Sequence, residues 1–174
     1  ETVGDNADMV VKEIMCDGDR SNYASKQFND MLKKHHVRKL STPEYEPAYN
    51  GLIERTQGVI DSLTLAALNY AQLDASFYVM FYCHATYVHN RVTCTAIDDN
   101  IPWYIWRNGK PIDYKWLRIP GCPAFVHIPH KKRIKHSAKH WEGIYVGVAD
   151  NGHGFKIWHP IKKKIYERIN VTFD

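Results

Sequence analysis

The apolar residues of this chain follow one spacing in its first part and a different one from residue 117 onward. From Leu52 to Tyr70, and again from Ala75 to Arg91, the pattern is that of helices. After Gly109-Lys-Pro111, short alternating segments are separated by turn residues, which is typical of strands in a small antiparallel sheet. We therefore predict two domains, residues 1–110 and residues 111–174, with the boundary near residues 110 to 118.

The second domain is predicted to be a small antiparallel barrel or meander. Its strands are expected at 124–129, 143–147, 154–158 and 164–173, where apolar residues alternate between turn signals. A third short helix is predicted at 102–107, just before the boundary. The aromatic residues of the 75–91 helix are interpreted as packing residues.

The first forty residues have the pattern of a β-α-β unit. A short strand is predicted from Val10 to Cys16, a helix from Ser25 to His35 with Ser25 as its N-cap, and a second strand from Val37 to Thr42. Such a unit needs a parallel strand pair, so both strands end at the same edge of the sheet. We therefore expect Asp17 and the loop before Glu54 to share that edge.

Glu54 stands in the first turn of a predicted helix. Asn50-Gly51 is a turn dipeptide, and the helical pattern begins directly after it. A carboxylate in a first turn is favoured by the helix dipole and by the unpaired backbone N–H groups. Because Asp17 follows a strand at the ligand-binding edge of an α/β sheet, the two carboxylates predict a metal-binding pair.

Charge is distributed unevenly along the chain. The net charge is only +4, yet residues 101–174 carry fourteen Lys and Arg against five Asp and Glu. Aromatic residues are interleaved among these cations, so nucleic acid is the favoured partner, and an ordinary solvated surface is the alternative. No apolar run is long enough to cross a bilayer, and no signal peptide is recognised. We expect an intracellular protein without membrane association.

Cysteine and histidine spacing gives no metal or disulfide pattern. The four cysteines are scattered and are predicted to be reduced thiols. None of the ten histidines is paired with cysteines at zinc-finger spacing, so no zinc site is expected.

Six ordered motifs resemble the integrase of copia-type LTR retrotransposons, and the resemblance covers essentially the whole chain. They are Cys16–Phe28, Ser41–Pro43 with Pro47–Arg55, Pro102–Trp106 with Gly109–Pro111, Leu117–Pro129, Gly143–Gly147 and Val171–Asp174. The resemblance implies an α/β fold, in which residues 1–110 are the C-terminal part of an RNase H-like core with a helical extension. A small basic β domain follows in residues 111–174.

The resemblance also implies a function, namely DNA 3′-end processing and strand transfer by two-metal phosphoryl transfer. Asp17 would be the second acidic ligand of Mg²⁺ or Mn²⁺ and Glu54 the third, with Asp19 as a substitute for Asp17. A working integrase would be nuclear. The residues expected to contact nucleic acid are Tyr49, Asn50, Arg55, Lys131, Lys132, Arg133, Lys135, Lys139, Lys156, Lys162, Lys163 and Lys164.

The match departs from the family pattern at three points. Thirty-six residues separate Asp17 from Glu54, one more than in the family, and Ala48-Tyr49 replaces a Gln pair. The first catalytic aspartate and the first strands are expected upstream of residue 1, so this chain alone is expected to be inactive. We expect a partner chain or an upstream segment to complete the sheet, and an oligomeric assembly. The alternative hypothesis is a domesticated relic that serves as a structural or DNA- or RNA-binding subunit.

Overall fold

The computed structural model describes residues 11–16, 25–41, 51–130, 133 and 138–174. Its helices are α1 (Lys26–Lys34), α2 (Gly51–Ala71), α3 (Tyr78–His89) and α4 (Pro102–Trp106). Its strands are β1 (Glu13–Cys16), β2 (Arg38–Ser41), β3 (Pro123–His127), β4 (His140–Val148), β5 (Phe155–His159), β6 (Lys164–Arg168) and β7 (Val171–Phe173). Single 3₁₀ turns lie at Ala75–Phe77 and Thr95–Ile97.

The chain divides into two compact units. One comprises Glu1–Gly58 with Tyr104–Lys110, and the other comprises Val59–Trp103 with Pro111–Asp174. The expectation of helices followed by a small antiparallel sheet is confirmed, whereas the RNase H-like core stays a prediction. The predicted domain boundary near residues 110 to 118 also stays a prediction, and the compact unit that contains the sheet includes the helical residues 59–103 as well.

The first unit contains the predicted β-α-β arrangement. Strands β1 and β2 are parallel, with Cys16 paired to Ser41 at their carboxyl ends. Helix α1 connects them, and the Ser25 side chain caps it by accepting a hydrogen bond from the Phe28 N–H at 3.2 Å. At the other end of α1, His36 adopts φ +55° and the Val37 N–H donates to the Leu32 carbonyl, which ends the helix. Ser25 as N-cap and the parallel pair are confirmed.

The second unit is built on a five-stranded antiparallel sheet in the order β6-β5-β4-β3-β7. One face of β4 carries Tyr145, which packs with Phe155 and Phe173 in the first hydrophobic core. The other face carries Val146, which packs with Leu68 of α2 and Phe81 of α3 in the second core. The sheet is therefore buried on both faces at β4.

Some element boundaries differ from the prediction because strand pairing decides them. The predicted strand 164–173 is two strands, since β6 pairs with β5 and β7 pairs with β3. The predicted helix 75–91 begins with a 3₁₀ turn, capped by Asp74 through the Ser76 N–H at 2.7 Å, and its α-helical part ends at His89.

The four cysteines all lie in the described residues and form no disulfide. In that part of the chain, no helix has the length and apolar character of a membrane span.

A substitution at Gly143 would test how tightly β4 and β5 are packed. A Cβ atom at residue 143 would lie 2.5 Å from Ile157 Cγ2 and 2.6 Å from the Trp158 carbonyl oxygen. We expect Gly143→Ala to lower the free energy of unfolding by about 1–3 kcal/mol, the usual cost of overpacking. Urea unfolding measures it. Gly58→Ala is the control, because a Cβ there meets nothing within 4 Å and should stabilise helix α2 by up to about 1 kcal/mol. Equal effects of both substitutions would contradict the described packing.

His84 should make stability depend on pH. This side chain of α3 is 7% exposed, lies edge-on to the Tyr145 ring at 5.6 Å, and has its pKa lowered by burial from 6.5 to about 4. The unfolded chain therefore binds this proton at a higher pH than the folded chain. The stability contributed by neutral His84 is complete above about pH 6.5 and is lost as pH falls towards about 4, to a total of about 3 kcal/mol.

Urea midpoints at pH 7 and pH 5 measure the effect. In His84→Leu the fall in stability between the two pH values should be smaller than in the parent chain, because the titrating group is gone. His153→Gln removes an exposed histidine and should leave the fall unchanged. An identical fall in the parent chain and in His84→Leu would show that His84 is not its source.

Candidate nucleic-acid interface

Three aromatic rings meet where β4 begins and β5 ends. Trp141 stacks on His159 with ring centroids 4.6 Å apart and an interplanar angle of 15°. Tyr166 of β6 meets Trp141 edge-on at 5.7 Å and His159 at 6.1 Å. His159 is buried, whereas Trp141 and Tyr166 are half-buried. The cluster is thus anchored in the sheet and keeps part of two rings at the surface.

Cations surround these rings. In the ladder between β5 and β6, Lys164 stands opposite His159 and Arg168 stands opposite Phe155, so both lie on the face that carries Tyr166. The Arg168 guanidinium is 5.2 Å from the Tyr166 ring centroid, and Lys162 Nζ is 6.0 Å from it. We call Trp141, His159, Tyr166, Lys162, Lys164 and Arg168 together the basic-aromatic surface.

Two further predicted lysines flank this surface in the chain. Lys163 lies in the turn between β5 and β6 with φ +49°, and Lys139 directly precedes β4. Both residues are exposed. Four of the predicted cations therefore lie in the two chain segments that form the aromatic cluster. They are Lys139, Lys162, Lys163 and Lys164.

Other predicted cations have protein partners. Arg133 Nε donates to the Ile128 carbonyl at 2.7 Å, and its Nη2 lies 2.7 Å from His127 Nε2. Lys156 forms an ion pair with Asp150 and stands opposite Glu167, on the other face of the ladder from Tyr166. Their roles in nucleic-acid binding stay predictions. Lys131, Lys132 and Lys135 lie outside the described residues.

Trp158 has a different environment from Trp141. It packs against Phe77 with ring centroids 5.4 Å apart and belongs to the core shared with helices α2 and α3. Its position in β5 places it on the face of the sheet that the helices cover.

The predicted metal pair is described only in part. Glu54 lies in the first turn of α2, as predicted, and both Glu54 and Arg55 are exposed. Strand β1 ends at Cys16, so Asp17 does follow a strand, but Asp17, Asp19, Tyr49 and Asn50 lie outside the described residues. Within the described ranges, no group of three His, Cys, Asp or Glu side chains could hold a metal ion. The pairing of Asp17 with Glu54 stays a prediction.

Sequence reasoning missed Tyr166, His159 and Arg168. The signal was available in Lys164-Ile-Tyr-Glu-Arg168, because strand alternation puts residues 164, 166 and 168 on one face and Glu167 on the other. His159 could not be found in this way, since its contact with Trp141 depends on how β4 and β5 are paired.

Comparison with known proteins finds a family model that matches these strands. The model of the retroviral polymerase SH3-like domain matches residues 122–174, the segment that holds β3 to β7. The chain is 32% identical over 151 residues to the retrovirus-related Pol polyprotein from transposon TNT 1-94 of Nicotiana tabacum. It is 23% identical over 145 residues to that from transposon RE2 of Arabidopsis thaliana. These matches indicate that the chain resembles a segment of a copia-type retrotransposon Pol polyprotein.

The alignments cover 87% and 83% of this chain but only 11% and 10% of the two relatives. A solved structure that is also similar is the simian T-cell lymphotropic virus intasome in complex with PP2A regulatory subunit B56 gamma. One of its chains is 16% identical, with a TM-score of 0.46, over 93% of this chain and 57% of that chain.

Proposed function

We propose that this chain is an integrase-related segment of a retrotransposon Pol polyprotein. We further propose that its five-stranded sheet, β3 to β7, called the β unit below, binds DNA through the basic-aromatic surface. The observation that carries this proposal is the alternation along β6. Lys164, Tyr166 and Arg168 share one face of the strand, while Glu167 lies on the other, where it accepts a hydrogen bond from the Asp150 N–H at 2.9 Å. The face with the rings is thereby cationic.

Such a face suits a phosphate backbone. Exposed lysines bind phosphates as flexible point charges and release condensed counterions, which gives affinity without sequence preference. The six residues of the surface all lie within the segment that matches the SH3-like family. The relatives are Pol polyproteins of transposons, so a role on the DNA of such an element is consistent with their names.

Replacing Lys162, Lys163 and Lys164 together by Gln should weaken duplex binding at every sequence alike. The slope of log K against log salt should become shallower by about 0.9 for each phosphate contact that is lost. Fluorescence anisotropy of the full chain with a labelled duplex, titrated at several salt concentrations, measures both quantities.

The matched control is the triple replacement of Lys26, Lys33 and Lys34 by Gln on helix α1. It removes the same charge from exposed positions in the other compact unit. If net charge alone attracts DNA, the two triple variants will have the same salt slope, and the proposed surface will be wrong.

The proposal includes a catalytic part for the longer protein. Glu54 is an exposed carboxylate in the first turn of α2, and carboxylate oxygens are the donors that Mg²⁺ and Mn²⁺ prefer. It would hold one of two metal ions together with Asp17. When bound, such ions stabilise the charge of phosphoryl transfer in 3′-end processing and strand transfer.

Glu54→Gln should abolish strand transfer by the assembled Pol-derived protein while leaving DNA binding by the β unit intact. The amide keeps the size of the side chain but removes the anionic oxygen. A strand-transfer assay measures the loss, and Glu142→Gln, an exposed glutamate of β4, is the control that should retain activity. Full activity of Glu54→Gln would exclude Glu54 as a metal ligand.

The domesticated relic remains the alternative function. It requires the basic-aromatic surface and no carboxylate pair, so an assembled protein that binds DNA but lacks strand transfer before any substitution would favour it. We also propose that the chain works as an oligomer in the nucleus. A partner chain or an upstream segment would complete the two-stranded sheet of β1 and β2.

A further inference from the structure

Tyr166 lies on an edge strand. In the sheet that the structure describes, β6 pairs with β5 alone, so the side of β6 away from β5 meets no further strand. The Tyr166 ring is half-buried and rests edge-on against Trp141 at an interplanar angle of 65°. It is therefore held in place from one side and is accessible from another.

The neighbouring rings serve as its support. Trp141 already stacks on His159, whose side chain is only 8% exposed, and a Cβ at residue 143 would lie 2.7 Å from Trp141 Cζ3. A planar ligand would have to displace His159 to stack on that face of Trp141. Tyr166 is thus the ring of the cluster that a planar ligand reaches without breaking a ring–ring stack, although such a ligand would displace an exposed cation that lies over the Tyr166 ring.

The charges around Tyr166 define what the ligand is. Lys162 and Arg168 lie 6.0 Å and 5.2 Å from the ring centroid, and Lys164 shares the same face of β6. Arg168 Nη1 donates to the Glu167 carbonyl at 2.7 Å. Three cations disfavour an organic cation over the ring and favour a flat group that is joined to anions, as a nucleobase is joined to phosphates.

We propose that Tyr166 stacks against an unpaired nucleobase of DNA, while Lys162 and Arg168 contact the phosphates next to that nucleotide. This inference rests on the proposed function and adds the substrate class, namely single-stranded DNA. A base inside a duplex has both faces covered by its neighbours, so only an unpaired one can stack on a side chain. Combining ring stacking with a cationic track is the common solution for binding single strands.

The test compares a blunt duplex with the same duplex extended by an overhang of about six nucleotides, a length within the span of a small β domain. The full chain should bind the overhang form at least about fivefold more tightly, since stacking of one base supplies that much. Tyr166→Leu should remove the preference, so that it binds the overhang form and the blunt duplex with affinities that are equal within about twofold. Tyr166→Phe should retain the preference because it keeps the ring.

A second measurement does not depend on any variant folding. 2-Aminopurine placed in the overhang should lose fluorescence when the parent chain binds, because stacking quenches it. Tyr70→Leu, which removes a 74% exposed tyrosine of helix α2, is the control that should keep both preference and quenching.

Equal affinity for the two DNAs without quenching, or a preference that survives Tyr166→Leu, would overturn the stacking site while duplex binding still upholds the proposed function. Failure to bind either DNA would overturn both.

Discussion

Strand β4 is buried on both of its faces, and the second compact unit depends on that constraint. Tyr145 points to one core, where its hydroxyl donates to the Trp116 carbonyl at 3.0 Å, and Val146 points to the other core beneath helices α2 and α3. A strand that is buried on both sides cannot slip by one residue without exchanging its two faces. This fixes the register of β3 and β5 against β4, and through β5 the register of β6.

The register in turn creates the basic-aromatic surface. Trp141 is four residues before Tyr145 on the same face, but it lies at the start of β4, where the core gives way to the surface. His159 and Tyr166 reach it from β5 and β6 because Ile157 is paired with both Tyr145 and Tyr166. The rings are therefore an extension of the first core towards solvent, and the rigidity of that core is what orients them.

Local sequence predicts the elements well where one segment alone decides them. Ser25 marks the start of α1, the turn dipeptide Asn50-Gly51 marks the start of α2, and alternating residues mark β3 and β5. Local sequence does not predict an element correctly where pairing with another strand decides its bounds. Residues 164–173 have no Gly or Pro to mark a break, yet the strand ends at Arg168 and a new one begins at Val171, because the two halves pair with different strands. For the same reason, Trp141 and Trp158 look equivalent in the sequence but lie at a surface and in a core.

The two parts of the proposed function, catalysis and DNA binding, rest on different compact units, so each part has its own physical requirements. Glu54 belongs to the unit of Glu1–Gly58, whereas the basic-aromatic surface lies wholly within the unit that contains Pro111–Asp174. Phosphate binding needs only local charge and a rigid scaffold, which β4 to β6 supply among themselves. A metal pair needs two carboxylates held at a shared distance, so one altered loop is enough to abolish it. Loss of catalysis during evolution would therefore leave the proposed DNA-binding surface unaffected, and the proposed binding is compatible with either history of the element.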